Sequence, residues 1–254
     1  RERSVVLERE ALDTWIALFG ADSRKALISR LDLANTLAAT GRSHEAEPEF
    51  KDLLERCPRI LGDDSETTII AHNSYAVLLM GQQRYAEAEP YIRKALEAGQ
   101  RVQGADHRNT LITQYNLSAV LRYLGRLEEA ERLGRETLVA FDRAFGPNHN
   151  NLASAHTSLG ETLMKLGRTA EAEREWVRAI EISKAALGDK NIAFTNTAIL
   201  LAKLMIESGR AAEAEPMLRE VIEICTEARG PNDARTALAK ARLGQCLSAL
   251  GRFA

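Results

Sequence analysis

Apolar residues recur along this chain at helical spacing. In the stretch DHRNTLITQYNLSAVLRYL they stand at Leu111, Leu117, Val120, Leu121 and Leu124. In the next stretch, LEEAERLGRETLVAFDRAF, they stand at Leu127, Ala130, Leu133, Leu138 and Phe141. Apolar positions three or four residues apart over about 18 residues are typical of amphipathic α-helices. No segment shows the strict alternation of a half-buried strand, so the pattern predicts an all-α protein.

This pair of helical segments repeats every 42 residues. One alanine of the second segment recurs in register, at Ala46, Ala88, Ala130, Ala172 and Ala214. The glycine that follows each second segment is also in register, at Gly20, Gly62, Gly104, Gly146, Gly188 and Gly230. Such a fixed period indicates a stack of helical hairpins, in which each hairpin covers the apolar side of its neighbour.

The period divides the chain into five whole repeats between two half repeats, and it predicts twelve helices. The predicted boundaries are 1–19 for the first half repeat, 20–61, 62–103, 104–145, 146–187 and 188–229 for the whole repeats, and 230–254 for the last half repeat. We therefore expect residues 1–254 to form a single solenoid of antiparallel helix hairpins. The half repeats at both ends indicate a piece of a longer chain.

Glycine, proline and small polar residues mark the ends of the predicted helices. Glycine after each second helix suits a left-handed (αL) C′ cap, and Ser, Asp, Asn or His two to three residues later can cap the next helix. Gln83 replaces the glycine of the turn inside its repeat, and we expect nearby Gly81 to form that bend. Pro48, Pro90 and Pro216 follow the turn by six or seven residues. We expect their helices to begin late, near the alanine column, or to be distorted in the first turn.

Two further columns concern the packing of each hairpin. Small residues stand in register at Ala34, Ala76, Ser118, Gly160, Ala202 and Gly244. We expect them where two helices cross closely, because a large side chain would hold the axes apart. An arginine follows every turn, at Arg42, Arg84, Arg126, Arg168, Arg210 and Arg252. This column could recognise an acidic partner, but pairing with nearby glutamates explains better why every repeat carries it.

Composition and charge exclude several classes of partner. The formal net charge of −2 gives no electrostatic argument for binding nucleic acid or an anionic membrane surface, because both need a concentrated basic face. No stretch approaches the roughly 18–20 apolar residues that span a bilayer.

Three cysteines, Cys57, Cys225 and Cys246, cannot form an even disulfide framework. We expect buried free thiols and a cytoplasmic location.

The sequence also argues against catalysis and metal binding. It contains no GxSxG, HExxH or GxxxxGK[ST] motif. His107 and His149 are related by the repeat, as are His72 and His156, and helices pack about 8–10 Å apart. Repeat-related histidines therefore cannot share one ion, whose ligands lie about 2 Å away. We expect the loop histidines to cap helices, and we predict no catalytic residue, no metal site and no cofactor.

The repeat resembles a known family. Repeat three carries Leu117-Ser118, Gly125 and Glu129-Ala130, and repeat four carries Leu159-Gly160, Gly167, Glu171-Ala172 and Trp176. This order is similar to the tetratricopeptide repeat, usually 34 residues long. The 42-residue form resembles the repeats of kinesin light chains and arrays of bacterial signalling proteins, where they accompany nucleotidase-type switches, kinases or proteases. The resemblance implies a right-handed superhelical solenoid whose first helices line a concave, peptide-binding face.

The resemblance also implies which residues bind a peptide. Asn116 matches the asparagine with which the family clamps a peptide backbone, whereas Asp32, Ser74, Ser158 and Leu200 depart from it. The predicted peptide-binding residues are Asn35, Asn73, Met80, Tyr115, Asn116, Arg122, Thr157, Ser158, Glu161, Met164 and Lys203. Met80 and Met164 would add adaptable apolar contact, or else would fill space between repeats.

Three functions fit this sequence. We predict a protein–protein interaction module that binds a protein or peptide in its concave groove. The alternative is a regulatory region of a larger signalling enzyme, in which the array docks its own effector domain. A weaker alternative is a scaffold that associates with itself end to end, since helices at an uncapped end expose apolar faces.

Overall fold

The computed structural model describes residues 2–252, which contain twelve α-helices, a short 3₁₀ turn at Ile192–Phe194 and no β-strand. The helices are α1 Glu2–Phe19, α2 Arg24–Ala39, α3 Ser43–Leu61, α4 Glu66–Gly81, α5 Tyr85–Val102, α6 Arg108–Tyr123, α7 Leu127–Phe145, α8 Asn150–Lys165, α9 Thr169–Leu187, α10 Thr195–Glu207, α11 Ala211–Arg229 and α12 Ala234–Ala249. The prediction of an all-α chain with twelve helices is confirmed.

The chain forms two compact units that divide after Ala130, inside α7. In unit 1, each helix from α1 to α5 packs against the next, and the first helices α2, α4 and α6 also pack side by side. In unit 2, each helix from α8 to α11 packs against the next, and α10 packs against α12. Each unit is thus a stack of helical hairpins.

The two small-residue columns form the contacts within the hairpins. All five residues of the alanine column are at most 1% exposed. A Cβ atom added to Gly160 would lie 2.4 Å from Nε1 of Trp176, which is itself only 3% exposed. The prediction of small residues at close helix crossings is therefore confirmed for α8 and α9.

The ends of the helices follow the predicted chemistry, with one difference. Ser23, Ser65, His107, His149, Asn191 and Asp233 each accept a hydrogen bond from a backbone N–H at the start of the next helix. The preceding glycines have positive φ, as predicted, but Gly62 combines φ 91° with ψ 157°. This extended ψ differs from the predicted αL cap. Three residues later, the N–H of Ser65 donates to the Gly62 carbonyl (3.3 Å).

The turn inside each repeat has the hydrogen bonds of a Schellman motif. In the first turn, Gly41 N–H donates to Ala38 O (3.1 Å) and Arg42 N–H donates to Leu37 O (2.9 Å). In the second turn, Gln83 N–H donates to Met80 O (2.9 Å), Arg84 N–H donates to Leu79 O (2.9 Å), and Gln83 adopts φ 61°. The expectation that Gly81 forms this bend was wrong. Gly81 is the last residue of α4, because the motif needs its left-handed residue at the position that Gln83 occupies.

The three prolines lie inside regular helices. Helices α3, α5 and α11 begin at Ser43, Tyr85 and Ala211, three residues before the alanine column. The expectation of a late start was therefore wrong. A proline removes one helical N–H, which leaves the carbonyl four residues earlier without its partner. The residues that carry these carbonyls, His44, Ala86 and Ala212, are exposed, so water can satisfy them.

Candidate functional site

The candidate site lies on the first helices of unit 1. A cavity of about 360 Å³ opens between α2 and α4, next to the start of α3, and Asn35, Ser74 and Val77 line it. Val77 is 45% exposed although it is a large apolar residue. Asn35 and Val77 occupy the same repeat position on successive helices. An apolar side chain open to solvent between two polar ones can contact a ligand.

Small residues leave this cavity open. Ala38, Ala39 and Gly81 line it together with the polar residues. Ala38 occupies the repeat position at which the following repeats carry Met80 and Arg122. An alanine at this position leaves space that a methionine or an arginine would fill. The cavity is therefore particular to the first whole repeat, because the following repeats carry larger side chains at the position of Ala38.

Asn73 and Asn116 form a polar pair between α4 and α6. The Nδ2 atom of Asn116 donates to Oδ1 of Asn73 at 3.4 Å, and both residues are half-buried. Within residues 2–252 this bond leaves Oδ1 of Asn116 and Nδ2 of Asn73 without a hydrogen-bond partner. One acceptor and one donor on adjacent helices match the two polar groups of a peptide unit. We call the surface formed by Asn35, Asn73, Ser74, Val77 and Asn116 the first-helix face.

The other predicted binding residues of unit 1 differ in exposure. Met80 and Tyr115 are half-buried. Arg122 is only 6% exposed, and its guanidinium carbon lies 4.5 Å from the centre of the Tyr123 ring. The Tyr123 ring in turn stacks on Tyr85, with 4.2 Å between ring centroids. Arg122 thus contributes to packing between α5 and α6, while Met80 and Tyr115 keep some surface open.

In unit 2 the predicted binding residues mostly engage the protein itself. The Thr157 hydroxyl bonds Ala153 O (3.0 Å) and the Thr197 hydroxyl (2.8 Å). Ser158 is 7% exposed, and Met164 packs against the core clusters around Leu159 and Trp176. Glu161 is half-buried, and Lys203 is exposed near Glu207 (3.6 Å). Predicted residues with accessible surface therefore lie in both units, and the cavity that accompanies them at Asn35 lies in unit 1.

Sequence reasoning missed Val77, Ala38 and Gly81 as lining residues. Val77 shares its repeat position with Asn35, which the family resemblance places among the peptide-binding residues. The signal that could have identified it is a large apolar residue in a column that otherwise carries only small or polar residues, namely Asn35, Ala119, Glu161, Lys203 and Gln245. Comparison down a column, rather than along a helix, would have revealed it.

The arginine column forms ion pairs within and between repeats. Arg84 binds Glu87 of its own repeat (2.8 Å) and Glu47 of the preceding one (2.9 Å). Hydrogen bonds from Lys51 and Arg84 lower the pKa of Glu47 to about 2. The other five arginines also form ion pairs with glutamates of their own repeat, of the preceding repeat, or of both. The predicted pairing with nearby glutamates is confirmed.

Two histidines form hydrogen bonds within the protein, and the three cysteines are buried. His72 is 8% exposed and its Nδ1 lies 2.9 Å from Thr68 O, while Nδ1 of His156 lies 2.6 Å from Glu175. Cys57, Cys225 and Cys246 are buried free thiols, as predicted. Across residues 2–252 there is no cluster of three or more metal-binding side chains. The helices in this range are also too short or too polar for one of them to cross a membrane.

Comparisons with known proteins agree on the fold. Sequence profiles described as Tetratricopeptide repeat match residues 27–66, 66–141, 120–185, 151–221 and 192–254. Among solved structures, BtubC (BKLC) from P. vanneervenii is 19% identical, with 90% of this chain and 92% of that chain covered and a TM-score of 0.74. No curated protein sequence matches the chain significantly.

Two further solved structures are similar. A putative kinesin light chain from Podosopora anserina, with nearly identical TPR-like repeats, is 18% identical, with 82% of this chain and 98% of that chain covered and a TM-score of 0.68. YrrB, described as a TPR protein with an unusual peptide-binding site, is 19% identical, with 91% and 98% covered and a TM-score of 0.53. At these identities the likeness establishes a shared fold.

Proposed function

Because the chain belongs to the tetratricopeptide repeat family, we propose that it is a non-catalytic protein-interaction module that holds a peptide segment of its partner on the first-helix face. The observation that carries this proposal is the cavity between α2 and α4, with Val77 exposed between Asn35 and Ser74. The resemblance to YrrB, which has a peptide-binding site, supports the same class of ligand.

The chemistry of the first-helix face suits an extended peptide. Val77 and the small residues around it offer an apolar hollow for one side chain of the peptide. The Asn73–Asn116 pair offers a donor and an acceptor for the peptide backbone about one helix further along the stack. An apolar anchor beside a few polar groups is the usual composition of a specific binding pocket.

The test uses peptides selected from a random displayed library on the wild-type chain. We expect Val77→Arg to weaken binding of a selected peptide at least about tenfold, because the arginine fills the cavity. Tyr115→Ala together with Asn116→Ala should also weaken binding, and neither change should alter helicity or the melting temperature. Fluorescence anisotropy gives the dissociation constants, and circular dichroism gives the stability.

Val177→Arg is the matched control for Val77→Arg. Val177 is 38% exposed on α9, a second helix, so the same substitution there should leave peptide binding unchanged. Equal affinities for wild type and Val77→Arg, or a library that yields no binding peptide, would contradict the proposal.

One structural observation favours self-association as a second candidate function. Helix α1 exposes Val6, Leu7, Leu18 and Phe19, each by more than half. An apolar surface of this kind invites contact with another molecule. Self-association through α1 stays a prediction, and sedimentation equilibrium of wild type against a Leu7→Glu, Leu18→Glu variant tests it. A regulatory role within a larger signalling enzyme and the cytoplasmic location also stay predictions.

A further inference from the structure

A second cavity, of about 400 Å³, lies on the second helices of unit 1. Leu54 of α3, Ile69 and His72 of α4, and Ala95 and Ala98 of α5 line its interior. It is separate from the first-helix face, since none of its lining residues lines the cavity at Val77. Its volume is within the range of small-molecule sites.

The cavity exists because α5 carries small residues on this side. Ile69, Ala95 and Ala98 form one small apolar cluster where α4 meets α5. The repeat position of Ala98 carries Ala140 in the next repeat and then Ile182 and Ile224, and that of Ala95 carries Thr137, Ala179 and then Val221. Ile182, Ile224 and Val221 are buried. Side chains of that size would occupy the space that is open next to Ala98.

His72 supplies a fixed hydrogen-bond acceptor to this cavity. Its Nδ1 lies 2.9 Å from the Thr68 carbonyl oxygen. A carbonyl oxygen only accepts, so Nδ1 carries the proton, and Nε2 of the neutral ring is an acceptor. Burial lowers the pKa of His72 and so keeps the ring neutral. His72 is 8% exposed, so a hydrogen bond from a ligand to Nε2 would satisfy an acceptor that is otherwise buried.

The charged residues at the opening carry an excess of unpaired negative charge. Arg101 is neutralised by Asp64, to which its Nε donates at 3.2 Å. Asp63, Glu97 and Lys94 also line the cavity, and within residues 2–252 none of the three takes part in an ion pair. Asp63 and Glu97 also interact electrostatically with Arg101, so with Asp64 the opening carries three carboxylates against the two cations Lys94 and Arg101. A cation that carries N–H donors would be attracted to this opening.

From these observations we propose that the cavity at Ala98 binds an alkylammonium group, with the aliphatic chain against Leu54, Ile69 and Ala98 and the ammonium donating to His72 Nε2 and to the carboxylates of Asp63 and Glu97. The group could belong to a free aliphatic amine or to a lysine side chain of a partner protein. A lysine side chain and n-butylamine present the same four-carbon chain ending in an ammonium.

The experiment titrates the whole chain with n-butylammonium and follows the amide resonances of α5 and the His72 imidazole by NMR. We expect saturable shifts in both, with a dissociation constant on the order of 1–10 mM. n-Butanol lacks the charge and butyrate reverses it, so both should bind at least about fivefold more weakly. Equal binding of all three probes, or no saturable shift with n-butylammonium, overturns the proposal.

Three variants locate the site and its charge preference. Ala98→Ile introduces the residue of the last two whole repeats and should weaken binding at least about tenfold. Asp63→Asn with Glu97→Gln should weaken it about three- to tenfold, and Lys94→Gln should strengthen it about twofold. Weaker binding of n-butylammonium in Lys94→Gln would overturn the proposal, as would unchanged binding in Ala98→Ile. Val77→Arg is the control and should bind n-butylammonium like wild type.

A lysine dipeptide analogue distinguishes the two sources of the group. N-acetyl-lysine N-methylamide carries the same side chain on a peptide backbone. Binding as tight as that of n-butylammonium supports a partner's lysine side chain as the occupant. Binding about tenfold weaker supports a free amine, because the backbone then fails to fit at the opening.

Discussion

At the scale of single residues, the absence of a side chain at Gly160 sets how closely α8 and α9 approach. The space beside its Cα is filled by the ring of Trp176, whose Nε1 donates to Thr157 O at 3.2 Å. Gly244 occupies the same repeat position on α12, but an added Cβ would meet no atom within 4 Å there. The repeat pattern predicted a small residue at both positions. It did not show that only one of them is required by packing.

We therefore expect opposite effects from the same substitution at these two glycines. Gly160→Ala should lower the free energy of unfolding by about 1–3 kcal/mol, since the new methyl group overlaps the Trp176 ring. Gly244→Ala should raise it by roughly 0.5–1 kcal/mol, because alanine is the better helix former at an open position. Urea unfolding followed by circular dichroism measures both. A Gly160→Ala variant as stable as wild type would contradict the packing described here.

At the scale of secondary-structure elements, hydrogen bonds decide where a helix begins and ends. Gln83 takes the left-handed position of a Schellman motif because the bonds to Leu79 and Met80 require it, and Gly81 remains helical. Likewise, α3 continues through Pro48, and His44, which carries the carbonyl that the proline leaves free, is an exposed residue. Both outcomes depend on exposure and on backbone geometry, which the intrinsic preferences of glycine and proline do not reveal.

The turn at Gln83 provides a reciprocal test. A left-handed conformation costs a residue with a side chain about 1–2 kcal/mol, and glycine avoids this cost. Gln83→Gly should therefore raise the free energy of unfolding by about 1 kcal/mol. Gly125 has φ 80° in the equivalent turn of the next repeat, so Gly125→Gln should lower it by a similar amount. If both substitutions shift the denaturation midpoint in the same direction, the conformational explanation fails.

At the scale of the whole molecule, ion pairs of the arginine column from Arg84 onward connect a repeat to the one before it. Glu47 receives Lys51 from its own helix (2.9 Å) and Arg84 from the next repeat (2.9 Å). Both partners stabilise the carboxylate, which is why the pKa of Glu47 falls to about 2 from an ordinary value of 4.5. As the pH falls, this carboxyl takes up a proton at a higher pH in the unfolded chain than in the folded chain. The stabilisation is thus complete above about pH 5 and is lost toward about pH 2.

Glu47→Gln tests this dependence on pH. At pH 7 we expect the variant to be less stable than wild type by about 0.5–1 kcal/mol, since the pair is only partly shielded from water. The difference should shrink steadily between about pH 5 and pH 2. Glu55→Gln is the control on the same helix, because Glu55 is exposed and has no ion pair within residues 2–252. A stability difference for Glu47→Gln that stays constant over this pH range would argue against the ion pair.

The sequence alone determined the all-α class, the number of helices and the tetratricopeptide family, because a period of 42 residues places apolar faces, caps and turns in the same register in every copy. Only the tertiary structure decided which copies differ. Ala38 opens one cavity and Ala98 another because neighbouring helices supply nothing to fill the space. A repeat pattern specifies what the copies share, whereas a binding site depends on where adjacent copies leave a gap.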